Sequence, residues 1–285
     1  MGMLMKTADL AGRLRESIRI ETDAWKKRGI EPSLAVVLLK GDPASEYYAR
    51  AKEKTAQKLG IGYRLMEFDP AITQSELLGH LGELNEDKSV HGIMLELPLP
   101  RHLNPSEAFE LIRSDKDVDG ITPGSKLACY LGTEGLYPAT PQSCIRILQE
   151  FGFGLKGRHV VLVGRGETVG RPLMPMLLRE HATLTVCHSH TENLARHIAG
   201  ADILITAAGR AGMVTADMVH PDLVVVDAGI NETDTGLTGD VSPDALQRVK
   251  AMTPVPGGVG TLTTLILFEN LLKAVGMQIG EGAHK

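Results

Sequence analysis

Apolar positions along the 285-residue chain alternate between two periods. Leu10, Leu14 and Ile18 recur every four residues, as on one face of a helix. The run 34–39, "LAVVLL", is short and continuously apolar, which predicts a buried strand. Asp42 and Pro43 then read as the cap and first turn of a helix that Gly60 closes. Thr73 and Glu76 form a capping box ahead of Leu77, Leu81 and Leu84. A second apolar run, "GIMLELPLP" (92–100), reads as the next strand, stopped by Pro98.

Residues 114–140 lack a clear period and are rich in glycine and proline, so they predict a long functional loop leading to a domain boundary. Thr140 and Pro141 open another helix. Four further apolar runs follow at 159–163, 183–187, 202–208 and 223–229, and a last helix is expected over about 260–275. This alternation of strand and helix predicts an α/β fold with parallel sheet. At roughly 100–200 residues per domain, the length suits two domains.

Composition adds little beyond a soluble class. The chain is 43% apolar and 23% charged, with 30 Lys+Arg against 35 Asp+Glu and a net charge of −5. Its basic residues are scattered, so electrostatics gives no reason to expect nucleic acid or an anionic membrane. Cys129, Cys144 and Cys187 form no C-x-x-C pair, which suits a reducing compartment and predicts neither a disulfide framework nor a metal site. The start "MGMLMKTADL" does not read as a signal peptide, and the late run "TLTTLILFENLLKAV" is interrupted by Glu269 and Lys273 and looks too short to span a bilayer. A cytoplasmic location is the expectation.

The stretch "VVLVGRGETVGRP" (160–172) carries the first candidate chemistry. A strand, a glycine turn and a helix form the context of a dinucleotide site. Gly164 and Gly166 let the backbone approach a pyrophosphate, and the helix start offers N–H groups and a partial positive charge. The third glycine, Gly170, comes one residue later than in the common fingerprint, and a glycine-rich turn without ligand would look similar. The next strand ends in "HSHT" with no acid where an NAD site places one. Ser189 can hydrogen-bond a 2′-phosphate and Arg165 can pair with it, which favours NADP.

In "DPASEYYARAKEK", Ser45, Tyr48 and Lys52 fall on one helix face. A solvated lysine face with Lys54 and Lys58 is the plainer reading. "KDVDG" places Asp117 and Asp119 before a glycine, a string that also suits a surface turn. "TPVPGGVGT" (253–261) sets rigid turns ahead of the last helix.

These strings, with "GIMLELPLP", "TVCHSHT" and "DAGIN", occur in the order and approximate spacing of one family. Over almost its whole length the chain resembles the bifunctional methylenetetrahydrofolate dehydrogenase/cyclohydrolase family. That family's turn is G-R-S-x-x-V-G-x-P; Gly164, Arg165, Val169, Gly170 and Pro172 match it, and Gly166 replaces the serine.

The resemblance implies two α/β domains with a cleft between them: a folate domain of residues 1–142 plus 266–285, and a Rossmann-like NADP-binding domain of residues 143–265. It implies a homodimer that oxidises 5,10-methylenetetrahydrofolate with NADP and hydrolyses the methenyl product to 10-formyltetrahydrofolate. By matching, Tyr48 stacks on the folate rings, Lys52 is the catalytic lysine and Asp119 binds the pterin edge. Arg165 and Ser189 contact the 2′-phosphate. Gly164, Gly166, Val169, Gly170 and Ile230 line the cofactor, and Pro256, Gly257 and Gly258 lie near the substrate.

Glu96 departs from the family's usual glutamine. A carboxylate beside Lys52 favours the ammonium and hinders the lysine as a base, so the expectation is an intact dehydrogenase with weak or absent cyclohydrolase activity. The counter-expectation is that Glu96 itself takes the proton. A shikimate-type NADP dehydrogenase, which also pairs a lysine with an aspartate, is the more distant alternative.

Overall fold

The computed structural model describes residues 2–234 and 236–280. In chain order the elements are β1 (Met3–Leu4), α1 (Ala8–Lys27), β2 (Ser33–Leu39), α2 (Pro43–Leu59), β3 (Gly62–Phe68), α3 (Gln74–Glu86) and β4 (Gly92–Leu95). Then come α4 (Pro105–Leu111), α5 (Pro123–Leu131), α6 (Ala139–Glu150), β5 (His159–Val163), α7 (Gly170–Arg179) and β6 (Thr183–Cys187). The series closes with α8 (Leu194–Ile198), β7 (Ile203–Thr206), β8 (Val224–Asp227), β9 (Asn231–Thr233), β10 (Gly236–Thr238), β11 (Ala251–Met252) and α9 (Val259–Gln278).

The chain divides into two compact units. One comprises Arg13–Cys129, Thr133–Tyr137 and Leu267–Lys285; the other comprises Met1–Gly12, Tyr130–Gly132 and Pro138–Ile266. The family resemblance puts residues 1–12 with the first domain. They join the second unit because Met3 and Leu4 pair in parallel with Ala251 and Met252.

The unit built on residues 13–129 holds a three-stranded parallel sheet in the order β3-β2-β4. Central strand β2 is buried on both faces from Leu34 to Leu39, which is why its sequence is apolar without alternation. α2 begins as its sequence predicts: the Asp42 carboxylate accepts from the Ser45 N–H, Pro43 opens the first turn, and Gly60 ends the helix in the left-handed region. Thr73 and Glu76 make the reciprocal capping box of α3, which packs Leu77, Leu81 and Leu84 into the core beside Val37 and Ile93.

Two readings from periodicity need correction here. The expected strand 92–100 ends at Leu95, short of Pro98, which has no N–H for a ladder. The region 114–140 is not one loop: α5 occupies Pro123–Leu131, a short helix whose early Gly124 and Ser125 weaken the helical signal.

The other unit carries a six-stranded parallel sheet in the order β1-β11-β8-β7-β5-β6. Because every strand runs the same way, all carboxyl ends emerge on one edge. β5 lies between β7 and β6, so the winding direction reverses at β5, where open α/β sheets bind ligands. The antiparallel β9–β10 hairpin follows β8.

α9 is 20 residues long, five more than the apolar run that marks it in the sequence. Among the described residues it is the single helix long and apolar enough to cross a membrane, and 67% of its apolar window is buried inside the protein, as in a core helix. Cys129, Cys144 and Cys187 are buried and none is in a disulfide; burial pushes the Cys144 thiol up to about 12, which makes it a poor nucleophile.

Candidate active site

In the first unit α2, β4 and the "KDVDG" segment bring Tyr48, Lys52, Glu96 and Asp119 together. Lys52 is not part of a solvated lysine face: Lys54 and Lys58 are exposed, but the Lys52 side chain keeps only 12% of its surface. Its Nζ donates to Glu96 Oε1 at 2.7 Å, and Glu96 is 7% exposed. Glu96 is fixed by its place one residue beyond β4, where its N–H donates to the Val37 carbonyl at 2.9 Å. Tyr48, one turn before Lys52, is 40% exposed and offers its ring at the surface. Ser45 does not present its hydroxyl to the site. It is buried, and its Oγ lies 2.9 Å from the Leu97 carbonyl, pinning α2 to the segment after β4.

The two aspartates of "KDVDG" do different work. A parallel bridge between Ile93 and Asp117 holds the segment beside β4. Asp117 is buried and accepts from the Ile121 and Thr122 N–H groups at 3.1 and 2.7 Å. Asp119 stays partly exposed. Surrounding protein pushes its carboxyl up to about 6; the Asp117 charge adds to the rise, Lys52 opposes it and Glu96 adds to it again. Asp119 is thus tuned near neutrality.

Lys116 was not singled out by the sequence. It is 3% exposed, and its Nζ donates to the carbonyls of Leu84 and Asp87 at 3.0 and 2.8 Å, closing the end of α3. Burial holds its amine below the usual lysine range. Asn270 on α9 adds two donors from its amide, to the Val118 and Tyr137 carbonyls at 2.8 Å each.

In the second unit every remaining candidate follows the carboxyl end of a strand. Gly164 to Gly170 follow β5, Ser189 follows β6, Ile230 follows β8, and Pro256 to Gly258 follow β11. Gly164 has φ +116°, and a Cβ there would stand 2.6 Å from the Ala207 carbonyl carbon. A Cβ on Gly170 would stand 2.8 Å from the Arg165 Cα. Both glycines are therefore required by close backbone approach, whereas Gly166 faces open space. α7 starts at Gly170 behind Val169 with no side-chain cap, so its N-terminus presents backbone donors and the positive end of its dipole. Arg165, Ser189, Ile230, Pro256 and Gly257 are exposed on this edge, and Gly258 is buried. In the "HSHT" turn the His190 N–H donates to His188 Nδ1 at 3.1 Å, and the His188 N–H donates to Thr191 Oγ1 at 2.9 Å.

Two buried carboxylates that the sequence did not mark hold this edge in shape. Asp227, the last residue of β8, accepts from Thr206, Gly229, Asp240 and Val241 at 2.8–3.1 Å. Asp240 accepts from the N–H groups of Ala208, Gly209 and Arg210 and from the Asn231 amide, at 2.6–3.2 Å. Burial pushes the Asp227 carboxyl up, against the pull of its donors. Thr7 performs a similar task at the "PGGVG" turn, donating towards the carbonyls of Gly257 and Gly258 at 3.1 and 2.9 Å. The adjacent glycines are the available sequence signal: a Cβ on Gly239 would collide with Asp227, and one on Gly229 with Asp240.

Comparison with known proteins meets this geometry from outside. Residues 5–119 match the model of the tetrahydrofolate dehydrogenase/cyclohydrolase catalytic domain, and residues 138–279 match that of its NAD(P)-binding domain. The bifunctional protein FolD of Pelotomaculum thermopropionicum is 48% identical over 283 residues, covering 99% of this chain and all of that protein. FolD of Bacillus subtilis is 41% identical, covering 93% of this chain and 95% of its own. The crystal structure of the bifunctional FolD dehydrogenase/cyclohydrolase of Campylobacter jejuni superposes with a TM-score of 0.95 at 37% identity, covering 98% of this chain and 100% of that one. The Trypanosoma brucei enzyme, solved with NADP and an inhibitor, gives 0.92 at 29% identity, with 98% of each chain covered. A shikimate 5-dehydrogenase from Listeria monocytogenes shares the fold alone, at 14% identity and a TM-score of 0.50. The chain belongs to the tetrahydrofolate dehydrogenase/cyclohydrolase family.

Proposed function

We propose that the chain oxidises 5,10-methylenetetrahydrofolate with NADP and hydrolyses the methenyl product to 10-formyltetrahydrofolate. The observation that carries the reading is the Lys52–Glu96 pair beside Asp119, in a chain whose full-length relatives are bifunctional. Those relatives give no support to a dehydrogenase lacking the hydrolytic step.

The second unit fits a dinucleotide. Gly164 and Gly170 let the turn pack closely on neighbouring backbone, and the uncapped start of α7 supplies donors for a pyrophosphate. Arg165 and Ser189 are the exposed groups assigned to a 2′-phosphate, and the strand before Ser189 ends without an acid that would repel it. When bound, NADP supplies the hydride acceptor.

The residues of the first unit then hold the folate. Asp119 receives the N–H donors of the pterin edge, a pairing that strengthens once the carboxyl is ionised. Tyr48 covers the flat rings. Loss of hydride leaves a cation shared by two nitrogens, a charge that the Glu96 and Asp119 carboxylates favour in this reading. The oxidation needs no strong base, so positioning dominates and contributes several kcal/mol.

The domain assignment follows: residues 1–142 with 266–285 as the folate part and 143–265 as the NADP part, with residues 1–12 donating their strand to the second sheet. A homodimer and a cytoplasmic location come with the reading, on family resemblance. Sedimentation at micromolar concentration checks the first, where a monomer mass refutes it. The function is tested by titrating Tyr48→Ala and Asp119→Asn for tetrahydrofolate binding. Unchanged affinity in both would overturn the placement of the folate.

A further inference from the structure

We propose that in this chain Glu96 takes the proton of the attacking water, while Lys52 remains an ammonium throughout. The proposal rests on the folate reading above and assigns the base within it.

Lys52 donates to Glu96 Oε1 at 2.7 Å, with both side chains largely buried. An amine accepts a proton only after surrendering its own, and here that would strand a buried carboxylate without its counter-charge. Breaking a buried pair from one side is costly. Glu96 is already ionised and needs no such step. Its Oε1 is occupied by Lys52. Among the described residues no donor reaches Oε2, and Oε2 is not one of the sealed, unpartnered atoms, which are Trp25 Nε1, His91 Nδ1 and Ser125 Oγ. Oε2 is therefore the carboxylate oxygen that a water can reach, and a carboxylate has lone pairs to spare for it.

The groups facing Glu96 are few. Lys52 comes from α2, Asp119 from the segment bridged to β4, with Asp117 behind it, and Tyr63 from β3. Tyr63 donates its hydroxyl to the Ala49 carbonyl at 2.8 Å, and burial together with the Glu96 charge pushes its phenol up, so it does not compete as a base.

The step balances. The water oxygen bonds to the methenyl carbon, the amidinium electrons return to nitrogen, and one water proton passes to Glu96 Oε2. In the neutral carbinol the bond from carbon to N5 then breaks, its pair staying on N5. N5 takes up one proton as the carbinol hydroxyl gives up another and becomes the formyl carbonyl. Glu96 returns its proton to solvent. Cation and water thus yield neutral 10-formyl product and one proton.

The experiment follows NADPH formation and methenyl decay separately between pH 5.5 and 8 for the natural protein, Glu96→Gln and Lys52→Arg. A guanidinium cannot serve as a base but keeps the positive charge. Expected are a fall in hydrolysis of about 100-fold near pH 6.5 in Glu96→Gln and surviving hydrolysis in Lys52→Arg. An unchanged hydrolysis rate in Glu96→Gln would overturn the proposal and point to Asp119. Lost hydrolysis with intact NADPH formation in Lys52→Arg would overturn it in favour of Lys52. Should Lys52→Arg lose both reactions, the Glu96→Gln profile decides. If the natural protein turned over neither folate, the underlying functional reading would fail instead.

Discussion

Replacing Gly164 by alanine puts the dinucleotide reading under direct strain. At φ +116° a side chain is rarely tolerated, and the new Cβ would stand 2.6 Å from the Ala207 carbonyl carbon and 3.2 Å from the Ala208 nitrogen. Both neighbours are backbone, so neither can swing aside as a flexible side chain would. Holding a residue in a sparsely populated region costs about 1–3 kcal/mol, and overpacking a tight contact costs about 1–3 kcal/mol more. The sum, at least about 2 kcal/mol, must appear as lost stability, as a displaced turn, or as both. Gly166→Ala is the internal control, because it faces open space and has an ordinary φ. Urea unfolding and NADP titration by fluorescence quenching measure the two consequences. Gly164→Ala is expected to unfold earlier and bind NADP at least ten-fold more weakly, with Gly166→Ala close to the natural protein on both counts. Equal behaviour of the two variants would refute the argument that close approach of the 164 turn shapes the site.

Three further outcomes follow from the same geometry. Asp240→Asn turns an amide towards the N–H donors that Asp240 now accepts; leaving those donors badly paired costs about 1–3 kcal/mol each, so the urea midpoint should drop and the KM for NADP rise, and an unchanged midpoint would contradict it. Asp119 has a folded-state pKa raised to about 6, so its favourable contribution is present below the ordinary value of 3.8 and is lost as pH rises through about 6. Asp119→Asn should therefore be more stable than the natural protein at pH 8 and gain little at pH 4.5, while losing folate turnover; an equal gain at both pH values would refute the sign. Lys116→Met removes the donors to the Leu84 and Asp87 carbonyls, and should destabilise the protein by about 1–3 kcal/mol; no loss on urea unfolding would show the bonds to be replaceable.

The elements that the sequence announces are those whose signals are local. Asp42, Pro43 and Gly60 bracket α2, and Thr73 with Glu76 cap α3, because each cap is a contact between near neighbours. The apolar run of β2 is legible because both of its faces are covered. Long-range pairing leaves no such mark. β1 is two residues long and exists through its partner β11, some 250 positions away, and this decides which unit holds the N-terminus. α5 escapes notice because glycine and serine blur its period.

The site divides in the same way. Lys52, Tyr48 and Asp119 are recognisable through spacing and family resemblance, and the partnership of Lys52 with Glu96 follows once both are placed. The supports are not: Lys116, Asp117, Asp227 and Asp240 look like ordinary surface charges until burial shows each to be held by hydrogen bonds. For Asp240 and Asp227 the trace in the chain is a glycine kept small by the carboxylate it faces, Gly229 and Gly239 respectively.

The central claim is a folate oxidation coupled to NADP and followed by hydrolysis in one chain. A single assay tests it: purified protein with 5,10-methylenetetrahydrofolate and either NADP or NAD, recording NADPH or NADH formation beside the rise and decay of the methenyl absorbance. Faster reduction with NADP is expected, with a methenyl signal that decays faster than in buffer. No reduction with either nucleotide, or methenyl decay at the buffer rate, would contradict it.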